Sequence, residues 1–213
     1  MTPYWNGFVS ELFKLASRDY KTFETVEEAK KVLKKGDIIV TQPMHPEDMP
    51  LLHKVLRTGL VHYQGTPWTH SGLYDGEGGV IESGGKAAFK EHKTNGVAKI
   101  PLKKFMEYYQ VRVLRPKATK KDKEDAVAYA KSRIGASFNL SGMLSNALPT
   151  SSRENPRGKR LRQDVMDLHC SQLVANAYPN LPFARSKHLH HVKPVDIQKS
   201  PLTKIVGESI KPE

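Results

Sequence analysis

The chain holds a single cysteine among its 213 residues. One cysteine closes no internal disulfide and builds no multi-cysteine zinc site. What remains is a packed, inert thiol or a nucleophile, and packed thiols are the commoner of the two. Hydrophobic residues reach only 38%, which leaves part of the chain for surface loop or tail. No run of about 18 apolar residues occurs, so no membrane-spanning helix is expected. The start, Met1-Thr2-Pro3-Tyr4-Trp5-Asn6, lacks the basic residues and apolar stretch of a signal peptide. A cytoplasmic location is therefore expected, with a phage virion or delivery to the cell wall by another machine as the alternative. No helix-turn-helix, zinc finger or RNA-binding aromatic motif is present, which argues against a dedicated sequence-specific nucleic-acid reader.

Positive charge is abundant. Lysine and arginine number 34 against 22 acidic residues, a net charge of +12. Such a chain favours anionic company: cell-wall polymer, nucleic acid, an acidic membrane surface or an acidic protein. Part of the charge is concentrated in Pro149–Asp164, where Arg153, Arg157, Lys159, Arg160 and Arg162 alternate with Pro, Ser, Asn and Gly, the composition of a mobile basic loop.

Periodicity predicts an amphipathic helix over residues 1–19 and a short one over Thr25–Lys34. Thr25 and Glu28 form a capping-box pattern there, with Gly36 beyond the end. Strands are predicted at Asp37–Thr41, Trp68–Tyr74, Val80–Ser83, Val97–Pro101 and Gln110–Leu114. The second and third are joined as a hairpin through Asp75–Gly79 (DGEGG). Leu102–Tyr109 reads as a short helix, and Thr119–Ile134 as a longer one with Ala126, Val127, Ala130 and Ile134 as its apolar stripe. A last helix opens at Asp164 or Asp167 and runs to about Tyr178, and Pro194–Ile197 reads as a strand or turn. The long Pro43–Thr66 segment carries an apolar patch at Leu51–Leu60. This order points to an α+β domain with an antiparallel sheet packed against helices.

Met166, Cys170, Leu173, Val174 and Ala177 fall at helical spacing, which puts Cys170 on the inner stripe of the last helix. With Asp167 as the cap, Cys170 lies in the first turn, where the helix dipole favours a thiolate. A thiolate nucleophile needs a base, and nine histidines are available. His45, His53, His62 and His92 sit in polar contexts. His169 adjoins Cys170 but, on a helix, projects about 100 degrees away. His188, His190 and His191 have no acidic or cysteine partner at fixed spacing, so no metal site is expected, and no cofactor either. His70 lies in a predicted strand on one side with Gly72 and Tyr74. If the hairpin is centred on Glu77, Gly72 faces Glu82, and His70 and Glu82 become diagonal neighbours about 7–8 Å apart at Cα. A slip of one residue would put them on opposite faces. Nucleophile, base and orienting group make the general triad. Spacing alone leaves open whether Cys170 and His70 meet. Tyr74 and Trp68 are candidates for a cleft wall, core packing being the alternative for both.

The chain resembles the circularly permuted papain-like hydrolases of the NlpC superfamily, in particular the YaeF/YiiX-type group. The matching pieces are Gly36-Asp37-Ile38-Ile39, Thr69-His70-Ser71-Gly72-Leu73-Tyr74, Val80-Ile81-Glu82-Ser83 and Leu168-His169-Cys170-Ser171-Gln172-Leu173-Val174, with histidine before cysteine. The likeness spans residues 36–206 and implies a catalytic domain there, with an N-terminal helical extension over 1–35 and a tail over 207–213. It implies Cys170 as nucleophile, His70 as base and Glu82 as third polar residue. Gln172 stands where an acidic residue is more usual in the group. The expected activity is a cysteine amidase or peptidase, of cell-wall peptide or other peptide, working through an acyl-thioester. The alternatives are a lipid acyl hydrolase or acyltransferase, and a non-catalytic basic structural or nucleic-acid-associated protein on the same scaffold.

Overall fold

The computed structural model describes residues 20–43, 58, 61–62, 65–84, 95–137, 168–185 and 192–210. The expected helix over 1–19, most of the Leu51–Leu60 patch, the basic loop, the opening of the last helix at Asp164 or Asp167, and His188, His190 and His191 lie outside them.

The elements run in the order β1 (Lys21–Phe23), α1 (Val26–Val32), β2 (Ile38–Pro43), β3 (His70–Tyr74), β4 (Gly79–Gly84), β5 (Gly96–Pro101), α2 (Leu102–Tyr108), β6 (Tyr109–Pro116), α3 (Lys120–Ser132), α4 (Cys170–Ala177), α5 (Pro182–Arg185), α6 (Pro194–Gln198) and β7 (Thr203–Ser209). The strands form one seven-stranded sheet in the order β1-β7-β6-β2-β3-β4-β5. Its inner pairs are antiparallel.

Local chemistry sets the boundaries. Thr25 Oγ1 accepts the Glu28 N–H at 3.2 Å, and the Glu28 carboxylate accepts the Thr25 N–H at 3.3 Å, so α1 opens with a reciprocal cap. Thr119 and Asp122 do the same for α3. The β3–β4 hairpin is set by Asp75, whose Oδ1 accepts the N–H groups of Glu77 and Gly79 at 2.7 and 2.9 Å. Gly76 and Gly78 supply the positive φ angles, +83° and +92°, that this loop demands. The loop imposes the register Gly72↔Glu82, Leu73↔Ile81, Tyr74↔Val80.

Strand alternation divides the core between the two faces of the sheet. Ile38, Val40, Leu73, Ile81 and Val97 join Ala126, Val127 and Ala130 of α3 and Leu173, Val174 and Ala177 of α4. Ile39, Val80, Val111 and Val113 on the other face join Ala29 and Val32 of α1 and Leu102 and Phe105 of α2. The edge strand β5 is covered by the residues after α3: Val97 donates to Ala136 O at 2.8 Å, and Gly135 donates to Val97 O at 2.9 Å.

The architecture is mixed α and β, as expected, with four corrections. First, β1 pairs with β7 in parallel, Lys21 opposite Gly207 and Phe23 opposite Ser209, so the sheet is not wholly antiparallel. Second, the N-terminal stretch is not all helical: β1 joins the sheet beside β7, which runs on to Ser209. Third, Pro194–Gln198 is a helix: proline occupies its first turn, and the Asp196 carboxylate accepts the Lys193 N–H at 2.9 Å. Fourth, Ile134 lies past the end of α3 and is 48% exposed, outside the apolar stripe.

Candidate active site

Two elements build the site: the β3–β4 hairpin and the start of α4. His70 is the first residue of β3 and Glu82 lies on β4, one step diagonally across the Gly72↔Glu82 pair. His70 Nε2 and Glu82 Oε2 are 2.8 Å apart. Glu82 is fully buried, while the His70 side chain keeps 19% of its surface. Gly72 makes this possible, because a Cβ there would come within 2.8 Å of Val80 Cγ1 and 3.0 Å of Glu82 Cβ. The space predicted beside His70 is therefore taken up by Val80 and the stem of Glu82.

Cys170 is the first residue of α4 and is half-buried. The helix packs its buried Leu173, Val174 and Ala177 into the core on β3 and β4. Its start is tethered to the hairpin, since the buried Ser83 hydroxyl donates to the carbonyl of Leu168, two residues before the nucleophile position. The thiol engages the His70 imidazole. With Nε2 turned to Glu82, Nδ1 is the ring nitrogen left for the thiol.

The electrostatics favour charge separation. Burial works against a charged imidazole at His70, but the attraction and hydrogen bond of Cys170, with Glu82 behind the ring, raise its pKa to about 10. Burial likewise works against a thiolate, yet His70, with a hydrogen bond from His169, brings the Cys170 thiol well below its ordinary value. Both shifts point the same way, toward a thiolate on Cys170 and an imidazolium on His70.

His169 is placed differently from expectation. Helix α4 starts at Cys170, so His169 is not within a helix but is its cap, with extended φ and ψ of −92° and 167°. Its ring turns back over the helix start, and Nδ1 accepts the Gln172 N–H at 3.3 Å. Ser171 Oγ lies 3.4 Å from the same nitrogen and donates to Val192 O at 2.6 Å. With Asp167 as cap, the expected helix starts two residues too early, and that is what turns His169 away from the thiol in the expectation.

Of the two expected wall residues, Tyr74 stands well away from His70. Tyr74 is buried at the far end of β3, four residues and about 13 Å from His70. There it lines a cavity with Lys30, Leu33 and Lys35. Trp68 is 4% exposed, and its ring is covered by the Arg112 guanidinium at 4.3 Å. Against the His70 ring stands Phe105, its ring centroid 6.4 Å away. Among the described residues no cluster of three or more metal-ligating side chains occurs. No helix there is long and apolar enough to cross a membrane. The chain matches no protein-family model and no curated protein.

Proposed function

We propose that the protein is a cysteine hydrolase of permuted papain-like type that cleaves an amide bond, in a cell-wall peptide or another peptide, through an acyl-thioester on Cys170. One observation carries the reading: a half-buried cysteine at a helix start engages a histidine whose other nitrogen is 2.8 Å from a buried carboxylate. A structural thiol needs no such relay.

In this reading the Cys170 thiolate attacks the carbonyl carbon. The oxyanion that forms faces the start of α4, where the backbone N–H of Cys170 has no intrahelical acceptor and can donate to it. His70, already protonated, gives its proton to the leaving amine as the C–N bond breaks and the thioester remains. Water then attacks the thioester, losing its proton to His70 as Cys170 leaves as thiolate. Glu82 holds the imidazole in the required orientation and stabilises its cation throughout. Neither metal nor cofactor has a part in this sequence of steps.

The test is incubation with peptidoglycan peptides and, separately, with long-chain acyl esters, followed by intact-mass analysis of the protein. An acyl adduct on Cys170 with the peptides, absent from Cys170→Ala, supports the amidase. An adduct formed only with the esters replaces it by a lipid acyl hydrolase or acyltransferase. A chain that forms no adduct, keeps an unreactive thiol and binds heparin or DNA regardless of Cys170→Ala is a basic binding protein on the same scaffold.

A further inference from the structure

The Glu82 carboxylate does more than meet His70; it lies directly over a residue that has no side chain. A Cβ built on Gly84 would stand 2.9 Å from Glu82 Oε2 and 3.2 Å from Oε1. Oε2 is the oxygen that meets His70 Nε2 at 2.8 Å. Two residues apart on β4, Glu82 and Gly84 point to the same face, and both are buried. We propose that Gly84 is a positioning residue for the Cys170–His70–Glu82 relay, its missing side chain being the space that the carboxylate occupies when it holds the imidazole. The proposal rests on the reading of the site given above.

The backbone does not require glycine here. Gly84 is not among the glycines with positive φ, so alanine fits its conformation. What an added methyl would meet is the tip of one side chain, with no backbone atom among its three nearest neighbours. Gly72 is the contrast, because a Cβ there would meet Val80 Cγ1 at 2.8 Å, Glu82 Cβ at 3.0 Å and the carbonyl oxygen of Ile81 at 3.1 Å. Substitution at Gly72 strains the hairpin itself. Substitution at Gly84 is relieved when the carboxylate swings away, and the contact given up is the 2.8 Å one to His70. Gly84→Ala is thus mild for the fold and damaging for the relay.

The experiment compares the full-length chain with Gly84→Ala, Glu82→Gln and the double variant. The rate of iodoacetamide alkylation is followed against pH, alongside the melting temperature. With one cysteine in the chain, the alkylation rate reports Cys170 alone. Gly84→Ala is expected to raise the apparent pKa of the thiolate by about one unit, in the same direction as Glu82→Gln. The double variant should show no shift beyond that of Glu82→Gln, and the melting temperature of Gly84→Ala should fall by less than about 4 °C. Three results overturn the proposal: an unchanged profile in Gly84→Ala, a further shift when Gly84→Ala is added to Glu82→Gln, or a Gly84→Ala chain that fails to fold. If Glu82→Gln itself leaves the profile unmoved, the reading of the site falls, and the role of Gly84 with it.

Discussion

Glu82 Oε2 stands 2.8 Å from His70 Nε2, from a side chain with no exposed surface to one that keeps 19%. A buried carboxylate is costly unless a partner carries the opposite charge. Glu82 therefore favours the imidazolium, and through it the thiolate. Replacing Glu82 with Gln keeps the shape and removes the charge. On the acid limb of its pH profile, below the folded thiol pKa, alkylation of Cys170 is expected to slow by up to about tenfold, the rate equivalent of one pKa unit. Stopped assays at fixed reagent concentration give the ratio.

The two shifts, His70 upward to about 10 and Cys170 downward from 9.0, make a specific pH dependence of stability. The His70 contribution is complete below its unfolded value of 6.5 and is lost as pH rises through about 10. The Cys170 contribution is complete above 9.0 and is lost as pH falls through the lowered folded value. Between 6.5 and 9.0 the slopes cancel wherever the folded thiol stays deprotonated, because folded and unfolded chains then hold the same number of protons on the pair. The melting-temperature difference between the wild type and a Cys170→Ala/His70→Ala chain should be level over that window. It should shrink both above and below it.

His169 caps the helix and also touches the thiol. His169→Ala should cost about 1 kcal/mol, the usual value of a lost cap, and should raise the thiolate pKa. Asparagine is a good cap without an imidazole. His169→Asn should recover the stability but not the thiolate, which thermal melts and the alkylation profile together resolve.

Ser83→Ala removes the donor to the buried Leu168 carbonyl. Leaving that acceptor unsatisfied should cost about 1–3 kcal/mol in urea unfolding, and alkylation should slow because the approach to Cys170 loses its tether. Ser83→Thr retains the hydroxyl and should restore both.

Much of this site was legible in residues 70–84. The DGEGG loop sets where the hairpin turns, and once Gly72 faces Glu82, alternation alone puts Glu82 on the same side as His70. The caps at Thr25 and Thr119 were equally open to reading, because a capping box lies within four consecutive residues. The rest was hidden for physical reasons. His169 looked misplaced only because the helix was started early; at an extended φ its ring returns over the helix it precedes. The three residues of β1 are too few to show a period, and their partners are at the other end of the chain. The helix at Pro194 carries its signal in Pro194 and Asp196 alone, too little to distinguish it from a turn. Gly84 could not be read at all, because its meaning depends on where the Glu82 carboxylate comes to rest.

The proposed chemistry depends on whether His70 holds Cys170 as a thiolate. The most direct measurement is the rate of iodoacetamide alkylation between pH 4 and pH 10 for the wild type and His70→Ala. Wild-type reactivity should persist well below the free-thiol pKa of about 8.5, and the His70→Ala profile should return toward that value. Superimposable profiles, both rising near the free-thiol pKa, would contradict it.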